Sequence, residues 1–187
     1  MGVDSEFHGA RSRKPMKTYK IRNASVTDAK QLAELQERTF RDTFEASNDP
    51  DDMALHCATS YGVSIQEAEI RHPEMITLVC EKEGDLIAFT QLRWKDVPGV
   101  ATKSKPLEIY RLYVDKPWHG KGIAQDLMDF ILTLAKQLGS GQVWLGVWEN
   151  NLRATSFYRK YAFTEVSEHI FMVGSDPQRD IIMMRSV

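Results

Sequence analysis

The residues that most suggest chemistry are two glycines, Gly120 and Gly122, in the segment LYVDKPWHGKGIA. They fall where an apolar, β-prone stretch turns into the clearest helix of the sequence. Glycine has no Cβ, so the backbone can approach a ligand closely, and the first N–H groups of a helix are unpaired and carry partial positive charge. Such a turn suits a pyrophosphate, and Lys121 adds a full charge nearby. The same glycines also fit a turn in which they only relieve steric crowding.

Two better-known phosphate-binding patterns do not fit this segment. A Walker A loop needs Ser or Thr directly after its lysine, but Lys121 is followed by Gly122. A dinucleotide fingerprint needs a third glycine where Gln125 stands. Any phosphate site at this turn is therefore of another kind.

The elements that position this turn are predicted from hydrophobic periodicity over residues 17–187, as a single domain. A first strand lies near residues 17–23, and a capping box at Ser25 and Asp28 opens a helix to about Phe44. Short helical segments follow before Pro73. Later strands are predicted over 75–81, 86–93, 107–114, 143–147, about 164–172 and 180–185, with helices over 120–138 and from 151 to about 161. The predicted order is β-α-α-β-β-β-α-β-α-β-β, a mixed α/β sheet flanked by helices.

The composition is that of an ordinary globular chain. The 187 residues are 42% hydrophobic and 27% charged, and the net charge of −2 favours neither nucleic acid nor an anionic membrane as a partner. Two cysteines, Cys57 and Cys80, with no CxxC motif and scattered histidines, predict neither a disulfide framework nor a metal site. No apolar run reaches the roughly 18 residues of a membrane span. We expect a cytoplasmic location.

The first sixteen residues have a polar sequence without hydrophobic periodicity. They lack the apolar core of a secretory signal, so we expect a disordered tail or vector-derived residues, with Met16 as a possible native start. Arg11, Arg13 and Lys14 could contact a polyanion, although a solvated tail is the simpler interpretation.

A second motif, ENNLRATSFYRKYAF, follows the predicted strand 143–147. With HGKGIA, it resembles the two signatures of the GNAT superfamily of acyl-CoA-dependent N-acyltransferases. The first signature, Q/R-x-x-G-x-G/A, corresponds here to residues 119–124, with His119 in place of Gln or Arg. The second, N-x-x-A-x-x-F-Y-x-K-x-G-F, has Ala162 in place of its glycine and is otherwise met by Asn151, Ala154, Phe157, Tyr158, Lys160 and Phe163.

The resemblance extends over about residues 17–187. The stretches FRDTFEASNDPDDM, WLGVWENN and HIFMVGSDPQRDIIM are also similar to bacterial spermine/spermidine acetyltransferases. The resemblance implies a GNAT-like fold in which strand 107–114 splays from strand 143–147. It further implies acetyl-CoA as co-substrate, no metal, and a small amine such as a polyamine as acceptor, with a homodimer possible.

The resemblance also implies where acetyl-CoA binds. Backbone groups of Leu112 and Val114 would pair with the pantetheine amides, N–H groups across residues 120–124 would hold the pyrophosphate, and Asn151 would contact the pantetheine arm. The expected cofactor-binding residues are Leu112, Tyr113, Val114, His119, Gly120, Lys121, Gly122, Ile123, Ala124, Asn151 and Tyr158.

Acetyl transfer to an amine needs a base, because an alkylammonium with a pKa of about 10.4 costs about 4 to 5 kcal/mol to deprotonate at pH 7. Glu108 is the candidate. Strand alternation would put Glu108 on the same face as Leu112 and Val114, with Tyr113 on the other. Glu108 could equally be a strand-end carboxylate in a salt bridge with Arg93 or Arg111.

Tyr158 is the candidate proton donor to the leaving thiolate. Asn151 lies seven residues earlier, two helical turns away, so both side chains share one helix face about 10 Å apart. A tyrosine of pKa about 10 gives its proton to a thiolate of about 8.5 only at a cost of roughly 2 kcal/mol. Tyr158 would therefore donate a hydrogen bond unless its pKa is lowered; packing against Phe157 and Tyr161 is the structural alternative.

The acceptor could be recognised by four acidic residues after the first long helix: Glu45, Asp49, Asp51 and Asp52. An acidic rim attracts a polycation, but such residues also serve commonly as helix caps. Two other functions stay open on the same scaffold: acetylation of a protein N-terminus or lysine, and a non-catalytic acyl-CoA sensor.

Overall fold

The computed structural model describes residues 18–187, so the tail predicted over residues 1–16 lies outside the described residues. Within them, the strands are Lys20–Asn23 (β1), Met75–Lys82 (β2), Asp85–Trp94 (β3), Leu107–Val114 (β4), Gln142–Trp148 (β5), Thr164–Val173 (β6) and Asp176–Ser186 (β7). The α-helices are Ala29–Phe44 (α1), Pro50–Ser60 (α2), Val63–Arg71 (α3), Ile123–Gln137 (α4) and Leu152–Lys160 (α5).

The strands form one mixed sheet in the order β1-β2-β3-β4-β5-β7-β6. All neighbours are antiparallel except β4 and β5, which are parallel and pair only through Leu107 with Val143 and Glu108 with Trp144. Beyond these two pairs the strands separate. The mixed α/β sheet and its splay between β4 and β5 are confirmed.

Helices cover both faces of the sheet. On one face, Met128 and Ile131 of α4 pack into a buried cluster with Ile109 of β4. On the other, Leu32 and Leu35 of α1 pack against Phe89 of β3. The apolar stripes that predicted these helices from sequence thus become the two layers of the core.

Two details of the predicted order differ from the structure. Three α-helices, α1 to α3, lie between β1 and β2, one more than the predicted order contains. Strand β7 begins at Asp176, not at Asp180, because Gly174 and Ser175 suffice for the turn. Pro177 is tolerated in this strand because β5 pairs with β7 only from Asp180 onward, which leaves the start of β7 with a free edge.

Strand β4 contains a β-bulge that the sequence analysis missed. Gln91 of β3 pairs with Arg111, but the next residue, Leu92, pairs with Ile109, so Tyr110 is an extra residue in β4. An extra residue shifts every later side chain to the opposite face. The predicted grouping of Glu108 with Leu112 and Val114 is therefore wrong: Leu112 and Val114 pack with residues of α4, as Ile109 does.

Cys57 and Cys80 are buried, and within the described part of the chain neither is in a disulfide. Among the described residues, none of the helices has the length and apolar character needed to cross a lipid bilayer.

Helix α5 ends in a strained turn at Ala162. The N–H of Ala162 bonds to the Arg159 carbonyl and the N–H of Phe163 bonds to that of Tyr158, at 3.0 and 3.1 Å, the pattern of a Schellman cap. The φ angle of Ala162 is +60°, in the left-handed region that glycine adopts most easily. This cap fixes the end of the helix that carries Tyr158.

We predict that Ala162→Gly stabilises the protein. Relief of the left-handed alanine is worth about 1 to 2 kcal/mol, and the added freedom of the unfolded chain takes back about 0.4 to 1 kcal/mol. Urea titration should show a gain of roughly 0.5 to 1 kcal/mol.

The matched control is Ala58→Gly, the same change at an exposed position within α2. It should lower the free energy of unfolding by about 1 kcal/mol. If both variants lose the same stability, the turn at Ala162 is not strained.

Candidate active site

A large cavity opens where β4 and β5 separate. Its volume is about 730 Å³, and it extends from the end of β4, past the following loop, to α5. Ten of the eleven residues predicted to bind the cofactor border it: Leu112, Tyr113, Val114, His119, Gly120, Gly122, Ile123, Ala124, Asn151 and Tyr158.

The loop before α4 presents a row of backbone N–H groups to this cavity. Gly120 and Gly122 have φ angles of +75° and +83°, which only glycine adopts without strain. The first backbone N–H of the helix to find a carbonyl is that of Asp126, which bonds to Gly122 at 3.0 Å. Within the described part of the chain, the N–H groups of residues 120–125 have no backbone acceptor. Unpaired N–H groups at a helix N-terminus can bind an anion such as phosphate.

His119 connects the loop to both neighbouring elements. Its Nε2 lies 2.7 Å from the Val114 carbonyl, and its Nδ1 lies 2.7 Å from a guanidinium nitrogen of Arg153. A carbonyl only accepts and a guanidinium only donates, so the geometry assigns the proton to Nε2. His119 therefore ties the end of β4 to the start of α5, across the mouth of the cavity.

The positive charges around the cavity differ from those expected. Lys121 does not border it, because its ammonium lies 4.5 Å from the centre of the Trp118 ring in a cation–π contact. The cations that border the cavity are Lys116, Arg153 and Lys160. Sequence analysis missed Lys116 and Arg153 as ligand-facing charges, since only the spatial approach of α5 to the loop brings Arg153 there.

Comparison with known proteins agrees with this geometry. Residues 29–163 match the model of the family described as "Acetyltransferase (GNAT) family", which is more than two thirds of the chain. The chain belongs to this family. It is accordingly an acetyl-CoA-dependent N-acetyltransferase.

Individual relatives are more distant. An uncharacterized N-acetyltransferase of Lactobacillus delbrueckii subsp. lactis is 29% identical over 90% of this chain and 97% of its own length. The spermine/spermidine N(1)-acetyltransferase of Bacillus subtilis is 24% identical over 43% of this chain and 54% of its own. The PaiA N-acetyltransferase of Thermoplasma acidophilum, solved with coenzyme A, superposes with a TM-score of 0.76 at 21% identity, over 91% of this chain and all of that one, and so shows the GNAT fold.

Asn151, which precedes α5, and Tyr158 within α5 lie between the large cavity of this acetyltransferase and a second one. Asn151 caps the helix, its side-chain oxygen accepting the Ala154 N–H at 3.1 Å, which leaves its amide NH₂ to donate. Tyr158 is 8% exposed, and burial raises its pKa to about 12. Both residues border both cavities. Their seven-residue spacing places them on one helix face, as expected.

The second cavity has a volume of about 250 Å³ and an aromatic wall. Its aromatic lining comes from α1, from α2 and the residue after it, from α5 and from the sheet: Phe40, Phe44, His56, Tyr61, Tyr110, Tyr113, Trp148, Tyr158 and Phe171. Arg111 also borders it, but both carboxylate oxygens of Glu69 accept from its guanidinium, at 3.0 and 2.9 Å. That charge is therefore already paired. The cavity offers a ligand an aromatic lining with polar groups among the rings.

Asp180 supplies a carboxylate to this aromatic cavity, and sequence analysis missed it. Its side chain is 13% exposed, and burial raises its pKa to about 6. The available signal was an acidic residue directly before the apolar run Ile181, Ile182 and Met183 of a strand. Its position beside the cavity depends on the pairing of β7 with β5.

Glu108 borders neither of these two cavities. It is buried, pairs across the strands with Arg93, and accepts hydrogen bonds from two nitrogens of that guanidinium. The salt bridge considered from sequence is thus present. The contacts do not support Glu108 as the base, and that role stays a prediction.

The acidic residues after α1 serve local structure. Asp49 caps α2 by accepting the Asp51 N–H at 2.8 Å, and Asp52 accepts the Ser175 N–H at 2.6 Å. Glu45 pairs with Arg41 at 3.3 Å. None of them borders the second cavity, so an acidic rim on this cavity is not what the structure has.

We predict that Gly122→Ala weakens coenzyme A binding. Alanine at a φ of +83° is strained by about 1 to 2 kcal/mol, and relaxing that strain would turn the N–H row away from the ligand. Calorimetry should show a dissociation constant about tenfold higher or more.

Gly139→Ala is the control. Gly139 has a φ of +73°, an added Cβ meets nothing within 4 Å at either glycine, and Gly139 does not border the large cavity. Both variants should lose similar stability, but only Gly122→Ala should lose affinity. Equal affinities would separate the loop from phosphate binding.

Proposed function

We propose that this enzyme moves the acetyl group of acetyl-CoA to a small primary amine, by direct attack within a ternary complex. The observation that supports this is the sharing of Asn151 and Tyr158 by the two cavities. A thioester at the end of the larger cavity and an amine in the smaller one would meet at these two side chains.

The residues present suit coenzyme A. Its pyrophosphate would accept from the N–H row of residues 120–125, with Lys116, Arg153 and Lys160 compensating the phosphate charges. Its pantetheine amides would pair with the backbone of Leu112 and Val114, where β4 has no strand partner on the side of β5. The Asn151 NH₂ would donate to the same arm.

Tyr158 would act on the leaving sulfur as a hydrogen-bond donor. With its pKa raised to about 12, full proton transfer to a thiolate of pKa about 8.5 is uphill by about 5 kcal/mol. A hydrogen bond to the developing thiolate needs no such transfer, and it is stronger in the transition state than in the neutral thioester.

Polyamines are the acceptors that we favour for the first test. The Bacillus subtilis relative is named for spermine and spermidine, and an aromatic cavity with one carboxylate suits one alkylammonium group through cation–π contacts. The distal amines of a polyamine would have to find partners outside this cavity.

An acceptor panel tests the proposal. Free thiol release from acetyl-CoA is measured with spermidine, 2-phenylethylamine, a lysine peptide, a peptide with a free N-terminus, and no acceptor. We expect turnover with spermidine or 2-phenylethylamine. Turnover with the peptides alone would identify a protein acetyltransferase, and binding of acetyl-CoA without turnover of any acceptor would identify a sensor.

We predict that Tyr158→Phe lowers kcat by about 10²-fold, the usual loss for one donor to a developing negative charge. The dissociation constant of acetyl-CoA should stay within about twofold, because the phosphate contacts are elsewhere.

Tyr19→Phe removes a hydroxyl that bonds to Asp126 of α4 and borders neither cavity, so it should leave kcat unchanged. A Tyr158→Phe enzyme that binds acetyl-CoA poorly but turns over normally would assign Tyr158 to binding alone.

A further inference from the structure

We infer that Asp180 is the general base of this acetyltransferase, the group that takes the proton from the acceptor ammonium. The inference rests on the proposed function, since it concerns the amine in the smaller cavity. Asp180 borders that cavity together with Tyr158. Asp180 lies in β7, which pairs with β5, whereas Glu108 lies in β4 and pairs with Arg93 of β3.

A glycine on the neighbouring strand, Gly146 of β5, lies next to the Asp180 carboxylate. Asp180 pairs with Trp148 of β5, and a Cβ built on Gly146, two residues earlier, would lie 3.1 Å from Oδ2 of Asp180. Gly146 itself borders the cavity. The Asp180 carboxylate therefore lies against the main chain of Gly146, in space that a side chain at position 146 would crowd.

The charged and titratable groups around Asp180 come from several elements. His169 of β6 is nearest, with Nε2 3.9 Å from Oδ2, and burial and Lys95 lower its pKa, partly offset by Glu108. From the other sides the cavity presents His56 of α2, Tyr61 directly after α2, Tyr158 of α5, and Tyr110, Arg111 and Tyr113 of β4. Burial and Arg111 lower the pKa of His56, and burial raises the pKa of Tyr113 and Tyr158. The neighbouring Arg179 is bound to Glu149 and Glu168.

None of these groups holds the Asp180 carboxylate in a close ion pair. Among the described residues, His169 is the only basic side chain within salt-bridge distance, and burial lowers its pKa, which disfavours its charged form. Burial therefore determines the shift, and it raises the pKa of the Asp180 carboxyl to about 6. A base with a pKa just below the working pH is ionised and still accepts protons well.

Asp180 takes one proton from the R–NH₃⁺ acceptor, and the freed nitrogen lone pair attacks the thioester carbonyl carbon. The C–N bond forms, the C–S bond breaks, and the electron pair of that bond leaves on sulfur. The second nitrogen proton ends on the thiolate as CoA–SH, and protonated Asp180 releases its proton to water. The sum is R–NH₃⁺ plus acetyl-CoA giving R–NH–acetyl, CoA–SH and H⁺.

The decisive variant is Asp180→Asn, which keeps the shape of the side chain. The rate is measured with saturating acetyl-CoA and spermidine, and again with 2-phenylethylamine, from about pH 5 to about pH 9. Wild-type kcat should fall below about pH 6, where Asp180 becomes protonated. The variant should be slower by about 10²-fold near neutral pH and should lack this acidic limb. Its affinity for acetyl-CoA should be unchanged.

Two matched amide variants serve as comparisons. Asp85→Asn changes an exposed carboxylate in the β2–β3 hairpin and should keep both the rate and the limb. Glu108→Gln tests the other buried carboxylate. If Glu108→Gln removes the limb and Asp180→Asn keeps it, the base is Glu108 and the inference is overturned; a normal rate in Asp180→Asn also overturns it.

Unfolding provides a test that needs no acceptor. The folded pKa of Asp180, about 6, exceeds its ordinary value of 3.8, so burial destabilises the folded state fully above about pH 6, and the penalty fades as pH falls. Asp180→Asn should therefore be more stable than wild type at about pH 8, with a smaller difference at about pH 5. A pH-independent difference would overturn the inference. If no amine is acetylated, the proposed function fails while this titration can still succeed.

Discussion

The brief contact between β4 and β5 is the constraint on which this enzyme depends. Two residue pairs hold the strands in one sheet, and the main chain of β4 beyond Glu108 then has no strand partner on that side. Unpaired backbone groups must be satisfied by something other than the sheet. The gap leaves a cavity and a free edge on β4. Asn151, at the start of α5, and Tyr158 within α5 both border this cavity. A sheet in which β4 and β5 paired along their whole length would have none of these features.

The bulge at Tyr110 divides β4 into two functional halves. Before the bulge, the side chains of Leu107 and Ile109 face α4. After it, the side chains of Leu112 and Val114 face α4, because the extra residue shifts the alternation by one position. Tyr110 and Arg111 consequently both border the aromatic cavity. One inserted residue thus gives the aromatic cavity an additional polar side chain without exposing the core on the α4 side.

What sequence could predict here was local. The glycine turn follows from the conformational freedom of Gly120 and Gly122, and the shared face of Asn151 and Tyr158 follows from helical spacing; both are properties of a single segment. The bulge at Tyr110 depends on how β3 pairs, the His119–Arg153 contact on how α5 docks, and the place of Asp180 on the pairing of β7 with β5. These are contacts between distant segments, so no local pattern contains them. The prediction that Glu108 shares a strand face with Leu112 and Val114 was wrong because the bulge is such a contact.

Two buried carboxylates of this sheet, Glu108 and Asp180, differ in the charged groups that surround them. Glu108 accepts hydrogen bonds from two nitrogens of the Arg93 guanidinium and borders neither cavity. Asp180 is buried without such a partner, so its charged form is disfavoured and its affinity for a proton rises. Arg111 is close enough to border the same cavity but is neutralised by Glu69. If Glu69 did not bind Arg111, the free cation would favour the charged carboxylate and repel an ammonium, so this ion pair keeps the cavity suitable for an amine.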